Sequence, residues 1–293
     1  MEAAVAQIHP RVAELRPGRR FEGRFACLSK ERLTARNGSQ YLSLRLRDRT
    51  GAIPARVFRD ADRIGLRFGA GDAVIARGKD ERYRGELVAE LDDVRALEPG
   101  SFDPAEFLPA AYRSAEELEG FLEHLAREVY DPALRGVVES IVLTGPLAAD
   151  FRRAPCTRAG HHAYLGGLLE HTVAVATLAL ETCQLHVRLN SDLLLTAALV
   201  HDLGKTRESS YGAELGLSEE GRLLGHLVLG QQLLEPRLAA LAPERRLALL
   251  HCVLCHHGPE AAPGRRFGSP EALALHRLNA LDASVKGALE HGL

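Results

Sequence analysis

The apolar residues change their spacing once along the chain, and that change limits what each part can become. From Phe21 to about Leu97 they recur at every second position, with turn residues between the runs, the pattern of strands with one buried face. In QYLSLRLRD, Leu42, Leu44 and Leu46 fall on one side, and Tyr41, Ser43, Arg45 and Arg47 on the other, because successive strand side chains alternate. Beyond the punctuated stretch EPGSFDPAEFLP the spacing becomes helical, which places a boundary near Pro99. Ser114 followed by Glu117 predicts a capping box opening a helix to about Tyr130, and Pro132 can start the next. Further helices are expected from about Tyr164, Asp192, Leu223, Glu244 and Glu271.

A chain of 293 residues has room for two domains. The expected division is a small all-β barrel over 1–98, a connector with leading helices over 99–160, and an all-α bundle over 161–293. About five short strands with a helical segment near Asp60 to Arg67 suit an OB-fold, whose open face commonly carries aromatic and basic side chains for single-stranded nucleic acid. Net charge is only -2, yet residues 16–84 hold 18 lysines and arginines against 8 acids, a net of +10. That window suits a polyanionic partner, and an ordinary solvated strand face accounts for it equally well. Tyr41, Arg45, Arg47, Arg56, Phe58 and Tyr83 are the candidate contacts.

No apolar run approaches the roughly 20 residues of a membrane span, and MEAAVAQIHPRVAELRPGRR lacks the features of a secretory signal. A cytoplasmic location without a membrane partner is expected. The five scattered cysteines do not form a disulfide framework, so free thiols are the default.

The helical part carries polar residues where apolar ones would be expected. SDLLLTAALVHDLGKTRE ends an apolar helix in His201 and Asp202, with Gly204 suiting a helix C-terminus and Lys205 beyond. His171 lies in the first turns of GGLLEHTVAVATLAL, His226 in LLGHLVLG, His256 and His257 after HCVLC, and Asp282 in LNALDAS. A helical bundle can aim such residues at one interior point.

That order of H, HD, H, HH and D resembles the HD-domain metallohydrolases over roughly residues 160–285. More closely, RNGSQYLSLRLRDRTGAIPARVF, FRRAPCTRAGHHAYLGGLLEHT, HDLGKTRE, EGRLLGHLVLG, HHG and LDA resemble the YhaM-type 3'-to-5' exoribonucleases, which join an OB-fold to an HD domain. The resemblance implies His171, His201, Asp202 and Asp282 around one divalent metal, with Asp202 bridging to a second held by His226 and His256. It further implies metal-activated water attacking the terminal phosphodiester to release a 5'-mononucleotide. Lys205 would stabilise phosphate charge, or be a surface lysine at a helix end. His161 and His162 would contact phosphate or protonate the leaving oxygen, or be plain loop histidines. Manganese is the first candidate metal, with iron, cobalt or zinc compatible with the same donors. The partner would be single-stranded RNA or DNA, and a homo-oligomer is compatible with the sequence. Asn279 and Ala280 stand where the family usually has Asp-Asn, and Cys255 where it has a small hydroxyl residue.

HCVLCHHG also matches a haem-attachment motif, half a zinc site and a redox dithiol. Haem attachment requires export, structural zinc a second ligand pair, and the dithiol a βαβ context, none of which the sequence offers. The expectation is that Cys252 and Cys255 pack, while His256 ligates, with His257 as an additional or alternative ligand. Competing functions are an HD phosphodiesterase for nucleotides or cyclic dinucleotides, a di-iron oxygenase, and a nucleic-acid binder with structural metals.

Overall fold

The computed structural model describes residues 9–292. These divide into two compact units, one reaching Pro109 and including Tyr211–Glu214, the other formed by Ala110–Ser210 and the chain from Leu215 onward.

The first unit contains β1 (Arg20–Thr34), β2 (Gln40–Asp48), β3 (Gly51–Val57), the short helix α1 (Ala61–Gly65), β4 (Ala73–Tyr83) and β5 (Glu86–Ala96). The strands close in the order β1-β2-β3-β5-β4; β4 returns to β1, and β3 meets β5 in parallel. This is an OB-fold barrel. Leu42, Leu44 and Leu46 pair with Val57, Ala55 and Ile53, and all six are buried. Closure needs local bending, supplied by register shifts at Cys27/Ser29 and Arg77/Gly78. Gly78 permits the second, since a Cβ there would lie 2.1 Å from the Glu90 carbonyl oxygen. The β4–β5 turn places Arg84 and Gly85 at φ 51° and 89°, the left-handed pair that a two-residue hairpin favours.

This unit extends beyond Pro99 because Phe107 and Leu108 are buried. Phe107 packs edge-on against Phe102 and joins Ala26 and Ala73 in one apolar cluster. The punctuation of the connector conceals this anchor.

The second unit comprises α2 (Ala115–Arg127), α3 (Pro132–Val138), α4 (Gly145–Arg153), α5 (Gly167–Leu185), α6 (Ser191–Val200), α7 (Lys205–Glu208), the strands β6 (Ser209–Tyr211, whose last residue is counted with the first unit) and β7 (Leu215–Leu217), α8 (Glu219–Leu234), α9 (Pro243–Leu254) and α10 (Pro270–His291). Ser114 accepts the Glu117 amide at 3.1 Å, but the Glu117 carboxylate turns to Arg113, so half of the expected capping box forms. Helix α8 starts ahead of Leu223 because the Ser218 hydroxyl caps the Gly221 amide. Strands β6 and β7 were not expected, being too short to show a period. Every residue of α6 from Leu193 to Val200 is buried; a helix apolar on all sides belongs in the middle of its domain. Among the described residues, no helix is long and apolar enough to cross a membrane.

Asp80 on β4 is buried, and among the described residues no side chain pairs with its carboxylate, which only the Arg16 backbone N–H approaches. Burial pushes its pKa up to about 6. The folded barrel must therefore hold a buried charge above pH 6, whereas below the ordinary carboxylate range both folded and unfolded chains are neutral here. Asp80→Asn is expected to stabilise the protein by up to roughly 2 kcal/mol at pH 7, with the gain fading as pH falls through 6 towards 4. Denaturant midpoints of the two proteins across that range check this.

Candidate metal centre

Five segments deliver side chains to one point in the helical unit. Helix α5 brings His171 in its second turn, and the end of α6 brings His201 and Asp202. The turn after α9 presents His256 and His257, and α10 presents Asn279 and Asp282. Helix α8 breaks at Gly225, φ 70°, and restarts at His226, whose backbone N–H donates to Glu208 Oε1 at 2.9 Å. Gly204 is not the left-handed helix stop that its position suggested, since its φ is -62°. It is glycine because a Cβ would lie 1.9 Å from the His226 carbonyl oxygen. The turn bearing His201 and Asp202 can therefore press against the segment bearing His226.

Four imidazoles are fixed in the same sense. His201 Nδ1 donates to the Ala198 carbonyl at 2.8 Å and His256 Nδ1 to the Val253 carbonyl at 2.6 Å. His226 Nδ1 donates to Glu208 Oε1 at 3.0 Å and His171 Nδ1 to Asp282 Oδ2 at 2.6 Å. In neutral rings so held, each Nε2 presents a lone pair. These lone pairs converge on the two oxygens of Asp202. Oδ2 lies 3.6 Å from His171 Nε2 and 3.4 Å from His201 Nε2, while Oδ1 lies 3.3 Å from His256 Nε2 and 3.7 Å from His226 Nε2. His171 and His201 bring their Nε2 atoms within 3.2 Å of each other. Asp202 Oδ1 and His256 Nε2 are buried without a hydrogen-bond partner.

Buried acceptors facing acceptors are costly unless a cation stands between them. Nitrogen and oxygen donors without thiolate suit a first-row divalent metal, so the residues present fit such an ion. Asp202, His226, His256 and His257 offer ligand atoms within 4.8 Å of one another. Both adjacent histidines thus reach this group, the favoured His256 and also His257, whose Nε2 lies 2.8 Å from His226 Nε2.

Charge at the centre is balanced locally. Burial would raise the Asp202 pKa, but the Lys205 ammonium beside it holds it well below the usual carboxylate range. Lys205 is no surface residue. It is 5% exposed, donates to the Cys156 carbonyl at 2.8 Å and lies 3.5 Å from Asp202 Oδ2. Burial opposes its charge, and Asp202 more than restores it. The Cys156 thiol, 3.8 Å from Asp202 Oδ2, is pushed up by burial and stays protonated.

Asp282 and His162 are placed differently from expectation. Asp282 accepts from His171 Nδ1 and, at 2.9 Å, from His162 Nε2, so it meets His171 on the edge away from His201. His162 is buried at φ 52°, with its Nδ1 2.9 Å from the Tyr164 hydroxyl, which donates to Glu170. Burial works against a charge on His162, but the hydrogen bonds to Asp282 and Glu170 outweigh it and raise its pKa. With both ring nitrogens engaged, His162 orients Asp282 and has no free edge for phosphate. His161 is half-buried, its Nδ1 has no partner, and burial with neighbouring His171 pushes its pKa down to about 4.

Sequence reasoning missed Glu208 and noted Asn279 only as a departure from the family's usual Asp-Asn, although its Oδ1 lies 3.0 Å from His171 Nε2. Glu208 gave no periodic signal; its position directly after HDLGKTR was the available clue. Cys252 and Cys255 are fully packed, with the Cys252 thiol pushed up by burial to about 12.

On the barrel, Arg45 is exposed, and Tyr41 and Phe58 stack with ring centres 5.3 Å apart. Arg56 lies over the Tyr83 ring at 4.3 Å. These five side chains share the outward face of β2, β3 and the β4–β5 turn. Arg47, on the same side of β2, is half-buried, with its Nη2 donating to the Ala213 carbonyl at 3.3 Å.

Because Glu208 fixes both the ring and the backbone of His226, Glu208→Ala is expected to lower divalent-metal affinity by about 10- to 100-fold, measured by calorimetric titration with manganese.

Residues 168–284 match the HD domain family, and a shorter match to a helicase family spans 141–192. The 3'-5' exoribonuclease YhaM of Listeria welshimeri is 28% identical over 261 residues, covering 86% of this chain and 81% of its own. That of Bacillus velezensis is 29% identical over 277 residues, covering 92% and 86%. Among solved structures, the second OB-fold domain of replication protein A from Methanococcus maripaludis is 20% identical, covering 32% of this chain and 98% of its own at a TM-score of 0.27. The chain thus joins an OB-fold barrel to an HD-domain, metal-dependent hydrolase module, and it is related to the YhaM exoribonucleases over most of its length.

Proposed function

We propose that the protein is a 3'-to-5' exonuclease that removes 5'-mononucleotides from single-stranded RNA, with two divalent ions, manganese first among them, held by this centre. The observation that carries the reading is the convergence of buried lone pairs on both oxygens of Asp202. When bound, such ions supply an acidified water and neutralise charge on phosphate. Asp202 is placed to serve both donor groups, one through each oxygen. Lys205, itself anchored by donating to the Cys156 carbonyl, keeps that carboxylate anionic; this favours a positioning role for it over direct contact with phosphate. Glu208 and Asp282 hold His226 and His171 with their Nε2 atoms inward. His161 stands beside His171 with its Nδ1 buried and unpartnered among the described residues, and burial with that neighbour keeps its ring neutral at physiological pH.

The barrel face supplies the grip on a strand. Tyr41 with Phe58, and Tyr83, offer rings on which bases can stack, while Arg45 and Arg56 offer phosphate contacts. Stacking tolerates any base, as an enzyme that proceeds nucleotide by nucleotide requires. This face favours a polymer over a mononucleotide or cyclic dinucleotide.

A 5'-labelled single-stranded RNA incubated with the protein and manganese should yield a ladder shortening by single nucleotides from the 3' end; internal cuts or an intact strand would overturn the reading. Asp202→Asn should remain folded and bind RNA but give no ladder. Arg45→Glu should weaken binding of a long single strand across all sequences and lower the salt-dependence slope by about 1, read by fluorescence anisotropy at several salt concentrations.

A further inference from the structure

The two donor groups that share Asp202 are unequal. One combines Asp202 Oδ1 with three imidazoles, from His226, His256 and His257. The other combines Asp202 Oδ2 with only two, from His171 and His201; the Cys156 thiol beside them donates to that same oxygen and so competes with a cation for it, and the remaining position is taken by an amide. Asn279 is buried, with Oδ1 3.0 Å from His171 Nε2. Its Nδ2 donates to the His256 carbonyl at 3.4 Å, which keeps the oxygen turned inward. Asp282, the nearby carboxylate of the same helix, is already occupied with His171 Nδ1 and His162 Nε2. A second difference points the same way, since the Lys205 ammonium lies 3.5 Å from Asp202 Oδ2, on the side of the poorer group. The oxygen that would attract a cation there already faces a positive charge.

Affinity for a divalent ion rises with the number of anionic and strong neutral ligands. The richer group has an imidazole where the poorer has an amide, and the two together contain one carboxylate for two dications. We propose that the centre fills in sequence: the His226, His256 and His257 group holds its ion permanently, and the His171, His201 and Asn279 group takes its ion together with a phosphate group. The phosphate oxygens would supply the negative charge that Asn279 lacks. The substrate would then complete the centre on which it is to be cleaved. This rests on the proposed metal dependence described above.

Equilibrium dialysis of the full chain against manganese, with metal counted per chain and electron paramagnetic resonance recorded on the same samples, tests it. The expected result is stepwise uptake, with the second ion binding at least about tenfold more weakly than the first and a mononuclear six-line spectrum at low manganese. Adenosine 5'-monophosphate, used as the phosphate probe, should tighten the weaker step by at least about tenfold. Asn279→Asp should tighten it without the nucleotide and give a spin-coupled spectrum at low manganese, while His226→Ala should remove the tight step. Two ions bound with equal affinity by the unaltered protein, or a weaker step indifferent to the nucleotide, would overturn the proposal while leaving metal dependence intact. Loss of the weak step in His226→Ala would also overturn it. Absence of any manganese uptake would remove the metal reading itself. The nucleotide arm uses the unaltered protein, so a misfolded variant does not rescue the proposal.

Discussion

The helical unit depends on where four imidazole protons sit. His201 and His256 give theirs to backbone carbonyls of their own helices, His171 gives its to Asp282, and His226 to Glu208. Each bond leaves a lone pair on the opposite nitrogen, and the fold aims these at a single buried carboxylate. Were the rings free to rotate or change tautomer, donors and acceptors could pair with one another and the centre would become an ordinary polar core. The fixed protons make it a cation site.

Such a concentration of acceptors requires rigid surroundings. The central position of α5 and α6 supplies them, since both helices are buried along most of the relevant face and close packing resists the small shifts that would relieve repulsion. Lys205 contributes in another way, by keeping Asp202 charged in a place where burial alone would protonate it. Glycine is used where backbones must touch, as at Gly204 against His226, and where the chain must turn, as at Gly225. The barrel follows the opposite logic. Its inward residues pack, and its outward rings and guanidinium groups stay accessible on the strand surface.

Much of this was legible in the sequence because it is local. Alternation in QYLSLRLRD gives the strand and its two faces, and an apolar run such as LLLTAALV gives a buried helix. Less was legible where a short segment has no period, as in β6 and β7, or where an isolated residue anchors a connector, as Phe107 does. Glu208 and Asn279 were hidden for a similar reason. Their roles lie in contacts with residues 18 and 108 positions away, and no local pattern encodes those.

The sequence by itself determined the two architectures, the kinds of donor available, and the delivery of those donors from the ends and inner faces of apolar helices. Only the tertiary structure decided that His257 joins His256, that Lys205 is buried beside Asp202, and that Asn279 faces the Nε2 edge of His171 while Asp282 faces the Nδ1 edge. The reason is geometric. Residues three apart share a helix face, so the pattern of α10 cannot distinguish Asn279 from Asp282; the rotation and height of α10 against α5 can, and these are set by packing between segments distant in the chain.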